Sequence, residues 1–456
     1  MSARVWVAVA TTCVALSGGG CATSFAASTV AGAMKASNAF GFDLYGQARG
    51  GRDNFVCSPA GAAIVLTMAA AGARGETQAE MLHTLHIESA NLDQTYTSFA
   101  AVIAALKDHD GKEELSLSVA DRVWTQKDFT FLPDYLSLLR ERFRAPIAEV
   151  DFERAPGVAT AAINQWASAE THGRIPQILD RLDEGTRMVL TNAVYLNAKW
   201  RNPFVGSNTR DGWFTTAEGK ITTKMMRQSD EFRYAEVAGA KLVELPYKGG
   251  LSMIVVLPES NDGLSRIEDR LASSYVDWIE ALENRMVDLE LPRFGTETSL
   301  PLVTSLKAMG MRLAFDPCHA DFTGVANLGP RENGQAFDAC RSARENLYIM
   351  EAIQKAWIET NELGTEAAAV TAVVMGVDIS LKVGPRLRRA VFHADHPFLY
   401  LIRDMRTGVI LFAGRVVNPA TASPPSGPSP QTSTDLRRPM LDVPEEYLNS
   451  DADSGQ

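Results

Sequence analysis

His83 and His86 stand three residues apart in a stretch that reads as helical, a spacing that could hold a divalent metal. No Cys or carboxylate pattern nearby completes a ligand set, so neither a metal nor another cofactor is expected. His393 and His396 flank a strand start and read as structural or exposed. Other chemistries with a spaced signature are also missing. The chain has no G-x-S-x-G elbow, no H-E-x-x-H, no P-loop, no C-x-x-C and no G-x-G-x-x-G after a strand. These residues support no nucleophile or general base, and the chain reads as something other than an enzyme.

The informative stretch is "ETNELGTEAAAVTAVVMGVDISLKVGPRLRR" at residues 359–389. Taken as a strand, side chains from 365 to 375 alternate between two faces. One face carries Thr365, Ala367, Ala369, Thr371, Val373 and Met375, without a charge. The other carries Glu366, Ala368, Val370, Ala372 and Val374, and its single charge can stay in water. Such a segment is patterned for a buried central strand. It nevertheless runs into Gly, Pro and basic residues that read as an exposed loop. A segment suited to both states reads as a switch; an ordinary strand followed by a long loop is the plainer alternative.

The surrounding elements alternate between helix and strand. Ser58-Pro59 is a helix start, a capping side chain followed by Pro at the first helical position. The run to Gly72 then reads as a buried helix. Thr77-Gln78-Ala79-Glu80 reads as a capping box, and "INQWASAETHGRIPQIL" as a helix stopped by Gly173 and Pro176. Strands are expected at "MVLTNAVYL", "LSMIVVLP", "MVDLELPRF", "FLYLIRD" and "GVILFAGRVV". Their irregular interleaving predicts an α+β fold with mostly antiparallel sheets.

With 456 residues, 46% of them hydrophobic, the chain can build a large core, and a net charge of −11 argues against a nucleic-acid partner. Arg4, the apolar run Val5–Leu16 and the small residues after it have a signal-peptide layout, too short for a comfortable membrane span. Export is therefore expected. Two routes stay open: lipidation at Cys21 after "ALSGGG", the only membrane attachment envisaged, or plain secretion with cleavage near Ala26 or Ala27. Cys57 reads as a small buried hydrophobe. Cys318 and Cys340 flank a Gly- and Asn-containing segment, and either pair or remain two thiols near a surface insertion. Residues 1–34 form the export segment and linker, 35–420 one domain, and 421–456 a Pro/Ser-rich acidic tail without apolar periodicity.

Over residues 35–420 the chain resembles the serpins, the serine protease inhibitor superfamily. The resemblance is carried in order by "NFVCSPAGAAIVLTMAAAGARGETQAEML", "INQWASAETHGRI", "MVLTNAVYLNAKWRNPF", "KMMRQ", "ELPYKGGLSMIVVLP", "ADFTGV", "IQKAWIETNELGTEAAAVTAVV" and "FHADHPFLYLIRDMRTGVILFAGRVVNP". It implies a metastable, monomeric protein with three sheets, about nine helices and an exposed reactive loop near 362–390. The partner implied is a serine or cysteine protease, trapped covalently when the cleaved loop inserts into the central sheet. A non-inhibitory member serving as a binding or carrier protein is the alternative. Glu362, Gly364, Thr365, Ala367, Ala368, Ala369 and Thr371 match the hinge and inserting run of inhibitory members, while Leu363 departs from the commoner polar residue. Trp200 matches a Trp at the top of the central sheet, and Arg293 the basic partner of Glu362. Ser58 and Asn192 match the "shutter" beneath the sheet, where Gly61 replaces a usual Ser and Gln354 a usual His. Counting the family's spacing from Glu362 puts the scissile bond between Asp378 and Ile379. A longer loop would shift it to Val377, Leu381 or Lys382.

Overall fold

The computed structural model describes residues 20–51, 53–88, 92–107, 114–327, 347–365 and 388–420. Among these residues are nine α-helices and two hydrogen-bonded sheets. The smaller sheet has six strands in the order Phe294–Pro301, Ile353–Thr360, Gly364–Thr365, Met188–Lys199, Leu115–Gln126 and Ile147–Val150. The larger sheet has nine strands, and every expected strand lies in one of the two.

The resemblance implies three sheets, and one long strand is the reason for finding two networks. Gly219–Val237 spans 19 residues. It pairs with Arg210–Thr216 at its start, Glu283–Pro292 along its middle and Ala240–Pro246 at its end. What could have been two sheets is thereby joined into one.

The helix Pro59–Gly72 lies buried, with Val65 alone partly exposed. Its run of Ala and Gly keeps the cylinder thin, so surrounding elements can pack on all sides. Ser58 caps it, its Oγ accepting from the Gly61 N–H at 3.3 Å. The next helix starts at Gly75, and the expected capping box is not formed. Thr77 Oγ1 instead accepts from the Asp321 N–H at 2.9 Å, and Glu80 accepts from the Arg312 and Leu313 N–H groups at 2.8 and 2.7 Å. Both polar side chains are drawn away by a loop distant in sequence. The same helix ends at Thr84, so His83 and His86 share no helical face; His86 turns into a positive φ of 56° and meets Asp43 at 2.7 Å.

Helix Pro156–Glu170 starts and stops earlier than its apolar pattern suggests. It packs through Ile163, Trp166 and Ala167 on Trp124 and Ala193, covering the half of the six-stranded sheet that contains 115–126 and 188–199. The first helix, Gly20–Ala48, runs through the expected boundary at residue 34, and Ala33 is buried.

Candidate functional site: a seam in the six-stranded sheet

Gly364 and Thr365 are the only residues described between the strands 353–360 and 188–199. Thr365 pairs with Thr360 on one side and Ala198 on the other, and Gly364 pairs with Lys199. Both contacts are antiparallel, so the two flanking strands run in the same direction with a seam below the wedge. Thr360 stands level with Ala198, and by the same register Trp357 with Tyr195 and Gln354 with Asn192. Below the wedge lies a cavity of about 210 Å³, lined among others by Gly61, Leu66, Leu190, Asn192, Ile349 and Gln354.

The turn feeding this wedge is held by its carbonyls. Trp200 N–H donates to Leu363 O and Phe204 N–H to Glu362 O, each at 2.9 Å. The Trp200 indole N–H donates to Asn361 O, also at 2.9 Å. Trp200 is 1% exposed and stacks on Tyr247 with ring centroids 4.3 Å apart and planes inclined by 8°. The Tyr247 hydroxyl lies 2.6 Å from Thr365 Oγ1, so the aromatic pair locates the first inserted side chain. Gly364 leaves no room for another residue: a Cβ there would stand 2.0 Å from Ala198 O, a backbone atom that cannot rotate away.

Arg293 and Glu362 meet at the head of the seam. Arg293 Nε and Nη2 donate to Glu362 Oε1 at 2.9 and 2.6 Å, and Thr209 Oγ1 donates to the same oxygen at 2.6 Å. Burial alone would raise the Glu362 carboxyl, but the hydrogen bonds from Arg293 and Thr209 outweigh it and hold the group below its usual value. Arg293 is half exposed, so solvent screens the pair. Arg293→Lys should cost about 0.5–1 kcal/mol by losing the second donor. Arg293→Glu should cost more, because it sets a like charge against a nearly buried carboxylate. Equal shifts in denaturation midpoint would refute the pairing.

Stability should depend on pH through the same carboxyl. The folded group holds its proton less tightly than the unfolded one, whose value is about 4.3. Its contribution is complete above that value and is lost as pH falls through the lower folded value. Glu362→Gln should therefore be less stable than the parent at pH 7, and the gap should close below about pH 4. A gap that stays constant from pH 7 to pH 3 would contradict the assignment.

Beneath the seam, the Ser58 backbone is gripped from both sides by one side chain. Its N–H donates to Gln354 Oε1 and its carbonyl accepts from Gln354 Nε2, each at 2.8 Å. Asn192 Nδ2 donates to Asp121 Oδ1 at 2.8 Å, while Asn192 Oδ1 is buried and unpartnered among the described residues. That oxygen explains Gly61: a Cβ at 61 would stand 2.0 Å from it and 3.0 Å from Val194 Cγ2. Gly61→Ala should destabilise the fold by about 1–3 kcal/mol through overpacking. An unchanged denaturation midpoint would show that the site relaxes freely.

The structure thus brings Glu362, Gly364, Thr365, Trp200 and Arg293 to the head of the seam, and Ser58, Asn192 and Gln354 to its floor. Ala367, Ala368, Ala369, Thr371, Asp378, Ile379 and Cys340 lie outside the described residues. So does the side chain of Cys21, whose backbone lies in the first turn of the first helix. Cys318 is disulfide-bonded to a partner outside the described residues, and Cys57 is a buried free thiol. Sequence reasoning does not single out Tyr247 or Thr209. Tyr247 sits within "ELPYKGG" and Thr209 just after "NPF", but their roles depend on contacts across more than a hundred residues.

Comparison with known proteins places this geometry. The chain is 35% identical over 388 residues to an uncharacterized serpin-like protein of Thermococcus kodakarensis, covering 85% of each. It is 33% identical to a leukocyte elastase inhibitor of Xenopus laevis, covering 83% of this chain and 97% of that one. Human thyroxine-binding globulin superposes with a TM-score of 0.71 at 25% identity, covering 86% of this chain and 99% of that structure. The family description "Serpin (serine protease inhibitor)" matches residues 35–419. The chain belongs to the serpin family.

Proposed function

We propose that this protein inhibits a serine or cysteine protease by offering its reactive loop as substrate and then drawing the cleaved loop into the seam. The observation that carries this reading is the wedge: two residues paired at the head of a seam whose lower part is unfilled by any described residue. Continuing its register would set Ala367 beside Ile358, Ala369 between Ala356 and Val194, and Thr371 between Gln354 and Asn192. The uncharged face of the loop would then meet the core. The Thr371 hydroxyl would reach the level of the unpartnered Asn192 Oδ1.

The chemistry belongs to the protease. Its hydroxyl or thiolate attacks the carbonyl carbon of the residue before the scissile bond, which we assign to Asp378. The peptide bond to Ile379 breaks, and that nitrogen leaves as an amine after taking a proton. The new ester or thioester links the two proteins, and insertion carries the protease away before water can hydrolyse it. Loop insertion of this kind is the established behaviour of inhibitory serpins, a form of strand addition that releases strain stored in the native fold, and the residues here fit it. We further assign export to the N-terminal segment and the Cys318 partner to Cys340.

The test is incubation with trypsin-, chymotrypsin-, elastase- and subtilisin-like proteases and an Asp-preferring one. A complex surviving denaturing electrophoresis supports trapping, and the mass of the released C-terminal fragment fixes the scissile bond. Loop cleavage without a complex from any enzyme would favour a binding role, as the name of thyroxine-binding globulin describes for that protein.

A further inference from the structure

Helix Pro59–Gly72 turns one face toward the unfilled part of the seam. Ala62, Val65, Leu66 and Ala69, spaced as i, i+3, i+4 and i+7, all line the cavity of about 210 Å³. Val65 is the one residue of the helix that is not buried, and this cavity is where it is exposed. The two alanines are too short to fill the space, which a well-packed interior would not leave open. Leu190 and Leu302 add further apolar wall.

One polar atom interrupts these walls. Asn192 Oδ1 is buried and has no hydrogen-bond partner among the described residues. The amide is fixed in that orientation, because its Nδ2 donates to Asp121 Oδ1 at 2.8 Å, and a carboxylate only accepts. Gly61 lies against the same oxygen and also lines the cavity, which sets the oxygen at the cavity wall. The Gln354 amide at the same level is turned to the Ser58 backbone instead. A water there would find one good acceptor among apolar side chains, too few partners to hold it well. The mouth carries both signs equally, Arg181 and Arg187 with Asp183 and Glu351, so it favours no ionised group.

We infer that this cavity is a binding site for a small neutral amphiphile, an apolar body with one hydroxyl that donates to Asn192 Oδ1. An apolar cavity of about 150 Å³ takes up benzene, so this one has room for a ring and a short chain. The ligand acts as a stop on the seam. Asn192 and Gln354 flank the level that residue 371 would reach on insertion, so ligand and inserted strand exclude each other. Binding therefore stabilises the intact form and slows insertion by mass action. This consequence rests on the trapping function proposed above, whereas the site itself does not.

Calorimetry on the intact full-length protein uses 4-propylphenol and, as its counterpart without the hydroxyl, propylbenzene. The phenol should bind with a dissociation constant of about 10–100 µM, and propylbenzene about five- to tenfold more weakly. Val65→Met and Val65→Phe push more side chain into the cavity, and whichever folds should bind the phenol about tenfold more weakly or worse. No binding to the parent, equal affinity for both compounds, or undiminished binding by a folded Val65 variant would each overturn the site. The second measurement nicks the loop with a protease that the protein does not trap and follows growth of the heat-resistant fraction. With the phenol at ten times its dissociation constant, that growth should be about tenfold slower. An unchanged rate would overturn the stop while leaving trapping intact. A parent that gains no heat resistance after nicking, with or without phenol, would overturn the trapping reading and the stop with it, and the calorimetry would still decide the site.

Discussion

Ala369→Asp should abolish the proposed trapping and leave the protein a plain substrate of the same protease. By the register of the wedge, residue 369 would come to rest between Ala356 and Val194, which are 2% and 5% exposed. An Asp side chain is too short to reach water from that depth, and the two side chains that flank it carry no charge to pair with. Burying an unpaired carboxylate costs several kcal/mol. Insertion competes with hydrolysis of the acyl link, so slowing it by even about 3 kcal/mol lowers the trapping rate more than a hundredfold. The yield of stable complex per cleavage should fall at least tenfold, with cleavage itself unimpaired. Densitometry of complex against cleaved protein gives the ratio. An unchanged ratio would mean that this face of the loop is not buried.

Trp200→Ala is the second large effect, and it falls on the native state. The side chain is fully buried, stacks on Tyr247 and donates to Asn361 O. Removing it leaves a cavity and takes a donor from that carbonyl, together costing about 3–5 kcal/mol. The native unfolding temperature should drop by roughly 4–6 °C for a domain of this length. Tyr247 would lose the surface that orients its hydroxyl toward Thr365, so the wedge should loosen as well. Faster amide exchange at Thr365 would report it. A drop of less than about 2 °C would show that the hinge does not depend on this stack.

The residues legible in the sequence share one property: their meaning depends on local pattern or on order along the chain. The alternating faces of 365–375, the Ser58 cap and the apolar strands belong here. The pairing of Glu362 with Arg293 is reachable only through the family resemblance, because 69 residues separate the two. Other features are hidden by competition between local and distant partners. Thr77 and Glu80 have the spacing of a capping box, yet both bind a loop more than two hundred residues away. His83 and His86 have a ligand spacing, but the helix stops between them. Gln354 stands in the sequence only as a departure from the family's usual His. Its amide oxygen accepts from the Ser58 N–H and its NH2 group donates to the Ser58 carbonyl, which closes both polar groups of that backbone. Gly61 reads as a lost hydroxyl, and the reason for it, the Asn192 oxygen above, is visible only in three dimensions.

The most direct test of loop insertion compares thermal unfolding of the intact protein with that of the same protein nicked once in the loop. If the seam accepts the cleaved segment as a new central strand, nicking adds a full ladder of hydrogen bonds and buries an apolar face. The unfolding temperature should then rise by more than about 10 °C despite the broken chain. An unfolding temperature that stays the same or falls after nicking would contradict insertion and the trapping that depends on it.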